Sequence, residues 1–271
     1  MTSCATQYIV PNYHPFTRIP TNVISYEFPL NERVRTMLRL EDLFTRLEQL
    51  IAGDKHCDHH VALSALFEIL EVTSRGELKS DLLQELEKQK RTLSALRNNP
   101  EISEDALDSM LADIESVSAQ LLTFSGKVGQ HIRDNEWLML IKQRACIPGG
   151  MCEFDLPSYH YWQHLEPAAR RLHLETWVAP LQPIHAGLKI LLKLLRENCK
   201  THQFTAYQGN FQQMQGGRVA QMLCVTLEKN LPCIPEISAN KYALNIRFVA
   251  ADYAAKSTLY DKDVEFKLTF C

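Results

Sequence analysis

The chain has 271 residues, of which 45% are hydrophobic and 23% charged, and a formal net charge of −3. That length can bury a core for one large domain or two smaller ones, and the composition excludes wholesale disorder. The near-neutral balance lacks the basic footprint of a dedicated nucleic-acid binder, and no run of about eighteen apolar residues is present to cross a membrane. Residues 1–22 carry Tyr8, Pro11, Tyr13, His14, Pro15, Phe16 and Pro20 without periodicity, and read as an extended or disordered leader rather than an export signal. A cytoplasmic protein is expected. Val23 to Phe28 reads as a short strand stopped by Pro29 (segment 23–30).

From Asn31 onward the spacing is helical. Asn31 is a good N-cap, Glu32 favours the positive end of the helix dipole, and Val34, Met37, Leu38, Leu40, Leu43, Phe44 and Leu47 supply an apolar stripe. Arg35 and Arg39 are four apart on one face and could receive a carboxylate together. By patterning alone, the commoner identity of such a stripe is a solvated helix face. Gly53-Asp54 marks a break, and a second helix is expected from about Asp58 to near Gly76. A third carries Leu78 to Leu96 and is ended by Asn98-Asn99-Pro100. A fourth restarts at Ser103 with Glu104 and Asp105 in its first turn, so that the two form an αα-hairpin. A fifth spans Val128 to Ala145 and ends before Pro148-Gly149-Gly150.

Beyond this point Cys152 to Leu156 reads as a strand or extended loop, Pro157 to His164 as helical, and Pro183 to Cys199 as strongly helical. After Thr201 the period switches to two. Thr201–Phe211, Arg218–Leu227, Leu244–Phe248 and Val264–Phe270 read as strands. Helices first and strands afterwards indicate an α+β fold, with a helical domain at 31–147 and helices followed by a β-strand domain at 148–271. The antiparallel sheet of that second domain is open to the short N-terminal strand. Residues 31–150 hold fifteen Lys/Arg against twenty Asp/Glu, whereas residues 200–271 hold eight against six. The strand-rich part is therefore the better host for an acidic partner.

Chemistry-bearing patterns are sparse. His56-Cys57-Asp58-His59-His60 places two imidazoles four apart, but no third and fourth ligand stand at diagnostic spacing, so no metal is expected. Cys146 and Cys152 flank Pro148-Gly149-Gly150 near His160 and His164, which makes a cysteine-dependent hydrolase centred on Cys152 and His160 one alternative. The plainer reading is a chain reversal with Cys152 packing inward. Gly-x-Ser-x-Gly and the phosphate-binding glycine loops are missing, and no catalytic residue or cofactor is expected. Eight dispersed cysteines without a CxxC pair read as reduced, mostly buried thiols. What remains is a scatter of basic residues at element ends, including Arg75, Arg133, Lys142, Arg144, Lys241 and Arg247. A nucleic-acid adaptor using them is a second alternative.

The segment EFPLNERVRTMLRLEDL resembles the opening of the bacterial cell-division family ZapD. The likeness continues through LFEILEVTSRGELKSDLLQELEKQKRTL (66–93), KVGQHIRDNEWLMLIKQRACIPGGMCEFDLPSYHYWQHL (127–165), ETWVAPLQPIHAGLKILLKLLRE (175–197), PEISANKYALNIRF (235–248) and VEFKLTFC (264–271). It thus covers most of residues 24–271. The resemblance implies a helical domain with a β-strand domain, a homodimer, and a cytoplasmic adaptor at the mid-cell division site. Such an adaptor binds the C-terminal tail of the tubulin-like protein FtsZ and bundles its filaments. It also implies a positively charged pocket, whose matching positions are Arg39, Arg75, Arg133, His160, Lys241 and Arg247, with Arg35 as a further candidate. The pattern departs at Ala243, where the family can place another basic residue. Neither nucleic acid nor membrane insertion is implied.

Overall fold

A computed structural model describes residues 22–74, 77–97, 103–123, 126–197, 199–214, 220–240, 242–252, 254 and 256–271. The predicted leader up to residue 21, and the predicted site residues Arg75 and Lys241, lie outside these. The first described element is strand β1 (Val23–Pro29), followed by helices α1 (Glu32–Ala52), α2 (His56–Ser74), α3 (Leu78–Ser94), α4 (Glu104–Thr123), α5 (Gln130–Arg133), α6 (Glu136–Ala145), α7 (Pro157–Gln163), α8 (Pro167–Val178) and α9 (Gln182–Glu197). Strands β2 (Lys200–Ala206), β3 (Asn210–Met214), β4 (Met222–Glu228), β5 (Cys233–Ala239), β6 (Ala243–Ala250) and β7 (Val264–Phe270) complete the chain. This is the expected α+β order, helical first and antiparallel β afterwards. It divides into two compact units: one chiefly of β1, the start of α1 and everything from Lys193, the other of the helices from Thr36 to Leu192.

In the helical unit, α3 and α4 form the predicted hairpin. Lys90 meets Glu115 at 2.9 Å and Arg97 meets Asp108 at 3.0 Å, so each step up one helix is matched by a step down the other. Those exposed pairs contribute little; Leu82, Leu86, Leu107, Leu111, Ile114 and Leu121, all buried, supply the stabilisation. Where one helix is expected from Val128 to Ala145, the structure has two. Asn135 adopts an extended conformation (φ −86°, ψ 100°) and its side chain accepts from Leu138 N at 3.0 Å, so it caps a new helix instead of continuing the old one. Cys152 to Leu156 forms turns rather than a strand, with Asp155 N and Leu156 N both donating to Cys152 O. A further helix, α8, starts with Pro167 in its first turn.

The sheet unit contains two antiparallel sheets, ordered β1-β4-β7-β2 and β3-β6-β5. The N-terminal strand therefore does join the C-terminal sheet, as the edge paired to β4 (Tyr26 opposite Val225). Alternation places Tyr26, Val225 and Leu268 on one face of the larger sheet and Ser25, Thr226 and Lys267 on the other. The inner faces of both sheets share a core of Leu223, Val225, Phe266, Leu244, Ile246 and Phe248, in which the Phe248 and Phe266 rings lie 5.1 Å apart. The predicted strand Thr201–Phe211 is split between these sheets. Gln208 and Gly209 take positive φ (48° and 72°), and the chain turns at Tyr207–Asn210 to leave one sheet for the other. A Cβ on Gly209 would lie 2.4 Å from Tyr260 O, so only glycine fits that turn.

The cysteines depart from expectation. Cys199 and Cys271 are joined in a disulfide, while Cys57, Cys146 and Cys152 are exposed, Cys224 is half-buried, and Cys233 is buried. Cys152 does not pack inward, because the turn that carries it lies on the surface.

Candidate functional site

The basic residues singled out by sequence fall into both units. On α1, the Asn31 side chain accepts from Val34 N at 2.9 Å and closes the helix start. Arg35 then turns back to Glu32, with Nε 2.9 Å from Oε2. Its charge is partly answered within its own helix, by an exposed pair of small worth. Arg39, one turn on, is exposed and has no ion pair among the described residues. It is held outward because Val34, Met37, Leu40 and Phe44 occupy the buried side of the same helix.

Arg247 belongs to β6, the central strand of the three-stranded sheet. Its neighbours in sequence, Ile246 and Phe248, are fully buried, so the pleat projects Arg247 to solvent. Directly across it stand Asn210 on β3 and Glu236 on β5. The next row of that face is Gln212, Asn245 and Ser238, all polar and uncharged. Ala243 lies further along the same strand, opposite Met214, whose side chain is 74% exposed.

Arg133 has a different occupation. Its Nη1 donates to Val128 O at 2.7 Å and its Nη2 to Leu70 O at 3.2 Å, fastening the short α5 to the last turns of α2. The adjoining Gly129 is left-handed (φ 74°), and a Cβ there would sit 2.3 Å from Leu70 Cδ1. Arg133 thus spends part of its donor fork on the fold. His160, on α7, lies 3.6 Å from the Glu153 carboxylate and 4.4 Å, ring to ring, from His164. The Glu153 contact ties the 152–156 turn to the helix. Among the described residues no hydrogen bond, ion pair or ring contact joins any two of the predicted positions. Cys152 likewise makes no contact with His160 or His164 among them, as a thiol–imidazole pair would require.

The histidine run is absorbed by packing. His59 is fully buried; its Nδ1 accepts from Arg170 Nε at 2.9 Å, which leaves Nε2 to donate to Ile51 O at 3.4 Å. Burial is the chief cause holding its pKa below the ordinary histidine value. His60 Nδ1 lies 2.7 Å from the Tyr159 hydroxyl, and burial lowers its pKa also. Tyr159, fully buried, is pushed up to about 12 by desolvation. Both ring nitrogens of His59 thus have protein partners, whereas His60 is held through Nδ1 and His56 is exposed.

Two features were not singled out from sequence. Arg170, 4% exposed, donates to Gln163 O, Leu165 O and Asp54 O as well as to His59, while Arg171 donates to Ile51 O, Ala52 O, Gly53 O and the Asp54 carboxylate. Two guanidinium groups therefore close the C-terminal end of α1, where free carbonyls and the helix dipole favour cations. Beside them α1, α8 and the start of α9 line an open pocket of about 570 Å³, floored by Phe44, Leu47, Ile51 and Val178 and rimmed by Glu48, Arg171 and Glu175. Among the described residues, none of the predicted basic positions lines it.

A family model described as "ZapD: Cell division protein" matches residues 38–247. The protein called Cell division protein ZapD in Aromatoleum aromaticum is 53% identical over 249 residues, covering 92% of this chain and 97% of its own length. Its namesake in Nitrosomonas europaea is also 53% identical over 249 residues, with 92% and 95% covered. That of Chromobacterium violaceum is 54% identical over 250 residues, with 92% and 99% covered. Family match and near-full-length identity agree with the helices-then-strands architecture, and this chain belongs to the ZapD family of cell division proteins.

Proposed function

We propose that this chain is a non-enzymatic adaptor of the division apparatus that binds the C-terminal tail of FtsZ and crosslinks FtsZ filaments as a cytoplasmic homodimer at mid-cell. The observation that carries the reading is the state of Arg39 and Arg247. Both are exposed guanidinium groups, on elements whose opposite faces are locked into a core, and neither has an ion pair among the described residues. Such groups are available to an acidic partner at little desolvation cost and are held on rigid elements rather than loops. The family resemblance adds Arg75, Lys241, His160 and Arg35 to the residues proposed to meet the tail, and Arg133 in addition to its bracing of α5.

A disordered tail with acidic and apolar residues orders as it docks, and each exposed ion pair contributes at most about 1 kcal/mol. One tail on one site is therefore weak. Two sites per dimer, set against many tails along a filament, turn weak contacts into bundling through effective concentration. Charge reversal should break this at its base. Arg39→Glu and Arg247→Glu are expected to weaken a tail peptide at least about tenfold and, through lost avidity, to abolish co-sedimentation with FtsZ filaments, with native circular dichroism. Wild-type binding is expected to fall steeply between low and high salt. Undiminished bundling by either variant, or salt-independent binding, would overturn the assignment.

A further inference from the structure

We infer that Cys199 and Cys271 form a reversible thiol–disulfide lock that fastens the α9–β2 junction to the end of β7. In the β2–β7 ladder Lys200 is paired with Phe270, so Cys199 and Cys271 occupy the next register position, directly opposite one another. Cys271 exchanges both backbone hydrogen bonds with Met222 on its other side (Cys271 N to Met222 O, 2.9 Å; Met222 N to Cys271 O, 3.1 Å). A residue in a hydrogen-bonded pair on one side of its strand is in a non-hydrogen-bonded pair on the other, where opposed Cα atoms stand closest. The observed Cα–Cα distance of 4.5 Å is that spacing, and it lies within the range a disulfide spans. The sheet backbone therefore holds the two sulfurs within bonding reach whether or not they are bonded.

Their position also makes the bond accessible. By parity both side chains belong to the outer face of the larger sheet, in line with Thr201 and Thr269, whose hydroxyls meet at 2.9 Å. Both cysteines are partly exposed. By contrast Cys233 is buried, and Cys224 and Cys233 both have thiols pushed up by burial, so they compete poorly as nucleophiles. One fastening already ties the end of α9 to this sheet: Arg196 grips Glu27 of β1 in a bidentate pair at 2.7 and 2.8 Å. The disulfide adds a second, at β7, and closes a loop of 72 residues that contains strands β2 to β7.

The chemistry is exchange with a low-molecular-weight disulfide. A thiolate of the pair attacks one sulfur of the small disulfide, forming a mixed disulfide and expelling one small thiolate. The second protein thiolate then attacks the protein-side sulfur, forming the Cys199–Cys271 bond and releasing the second. The two cysteines lose two electrons, the small disulfide gains them, and the protons from the protein thiols end on the two released thiols. Excess small thiol reverses both steps.

The test uses the full chain equilibrated in glutathione mixtures from fully reducing to fully oxidising, quenched with a maleimide and mapped by peptide mass. Two labelling sites, Cys199 and Cys271, are expected to disappear together in one two-electron transition while Cys57, Cys146 and Cys152 remain labelled. Across it the melting temperature should rise by about 5–10 °C. Amide exchange over Lys200–Ala206 should slow at least several-fold. Cys199→Ser and Cys271→Ser, made separately, should each remove the transition and its melting shift. Full labelling of both cysteines in every mixture would overturn the inference, as would a bond that persists in excess thiol. So would oxidation that leaves both the β2 exchange and the melting temperature unchanged.

Discussion

Arg170 shows what a single buried charge does in this protein. Among the described residues it has no carboxylate partner; its guanidinium is satisfied by three backbone carbonyls and the neutral ring of His59. Those partners come from the α1–α2 loop, α2, the end of α7 and the α7–α8 loop, so one side chain ties four separate pieces of chain together. Truncation would leave the carbonyls and His59 Nδ1 without donors in a dry site. Arg170→Ala is accordingly expected to cost about 3–5 kcal/mol, read as a shift of the urea midpoint. Arg170→Lys should recover little, since a point charge cannot reproduce the planar fork. A loss under about 1 kcal/mol for the alanine variant would show the guanidinium to be dispensable. Nothing in Ala-Ala-Arg-Arg-Leu-His separates Arg170 from its less buried neighbours, because its partners lie up to 116 residues away. The position of Arg39 was legible for the opposite reason: its surroundings are set by the helix it sits on.

At the scale of elements, what could be read from the chain was whatever local periodicity decides, and what could not was decided by pairing across the fold. The start of α1 at Asn31, the α3–α4 hairpin, and β6 and β7 follow from caps and alternation, and they stand where expected. Strand β5 was missed because it is an edge strand containing Pro235, with Glu236 and Ser238 turned to solvent; only its pairing with β6 makes it a strand. The division of Thr201–Phe211 was missed because both halves alternate in the same way, and the change of sheet rests on Gln208 and Gly209. The α5–α6 break turns on Asn135, whose cap was masked by the apolar residues around it. Asn135→Ala is expected to destabilise by about 1 kcal/mol, with Asn135→Asp recovering most of it, as measured by equilibrium unfolding. An alanine variant as stable as wild type would mean that packing of Ile132 and Leu138, not the cap, holds the break.

Across the whole molecule, buried titratable groups are distributed unevenly, and this gives its acid response a direction. His59, His60 and His185 all have pKa values held below the ordinary 6.5, in each case chiefly by burial, and all three lie in the helical unit. Lys189 lowers His185 further, while Glu48 and Glu41 partly offset the effect. A histidine that resists protonation when folded takes up its proton more readily when unfolded. Stability is therefore complete above pH 6.5 and falls as the pH drops below it toward the folded-state values, by at most about 1.4 kcal/mol per pH unit for each group. All three tryptophans of the chain, Trp137, Trp162 and Trp177, lie in the same unit within one ring cluster, so their fluorescence reports on it specifically. Urea midpoints read by tryptophan emission should fall steadily from pH 7.5 to 5. His185 offers a way to isolate one contribution. Its ring stacks on Phe44 at 4.4 Å, its Nδ1 lies 3.3 Å from Glu48, and its buried Nε2 has no partner among the described residues. His185→Phe keeps the stack and removes the unpaired nitrogen, while Glu48 retains Lys189 at 3.5 Å. This variant is expected to match wild type within about 1 kcal/mol at pH 7.5 and to lose less stability by pH 5. Parallel curves for the two proteins over that range would show that His185 takes up no proton on unfolding.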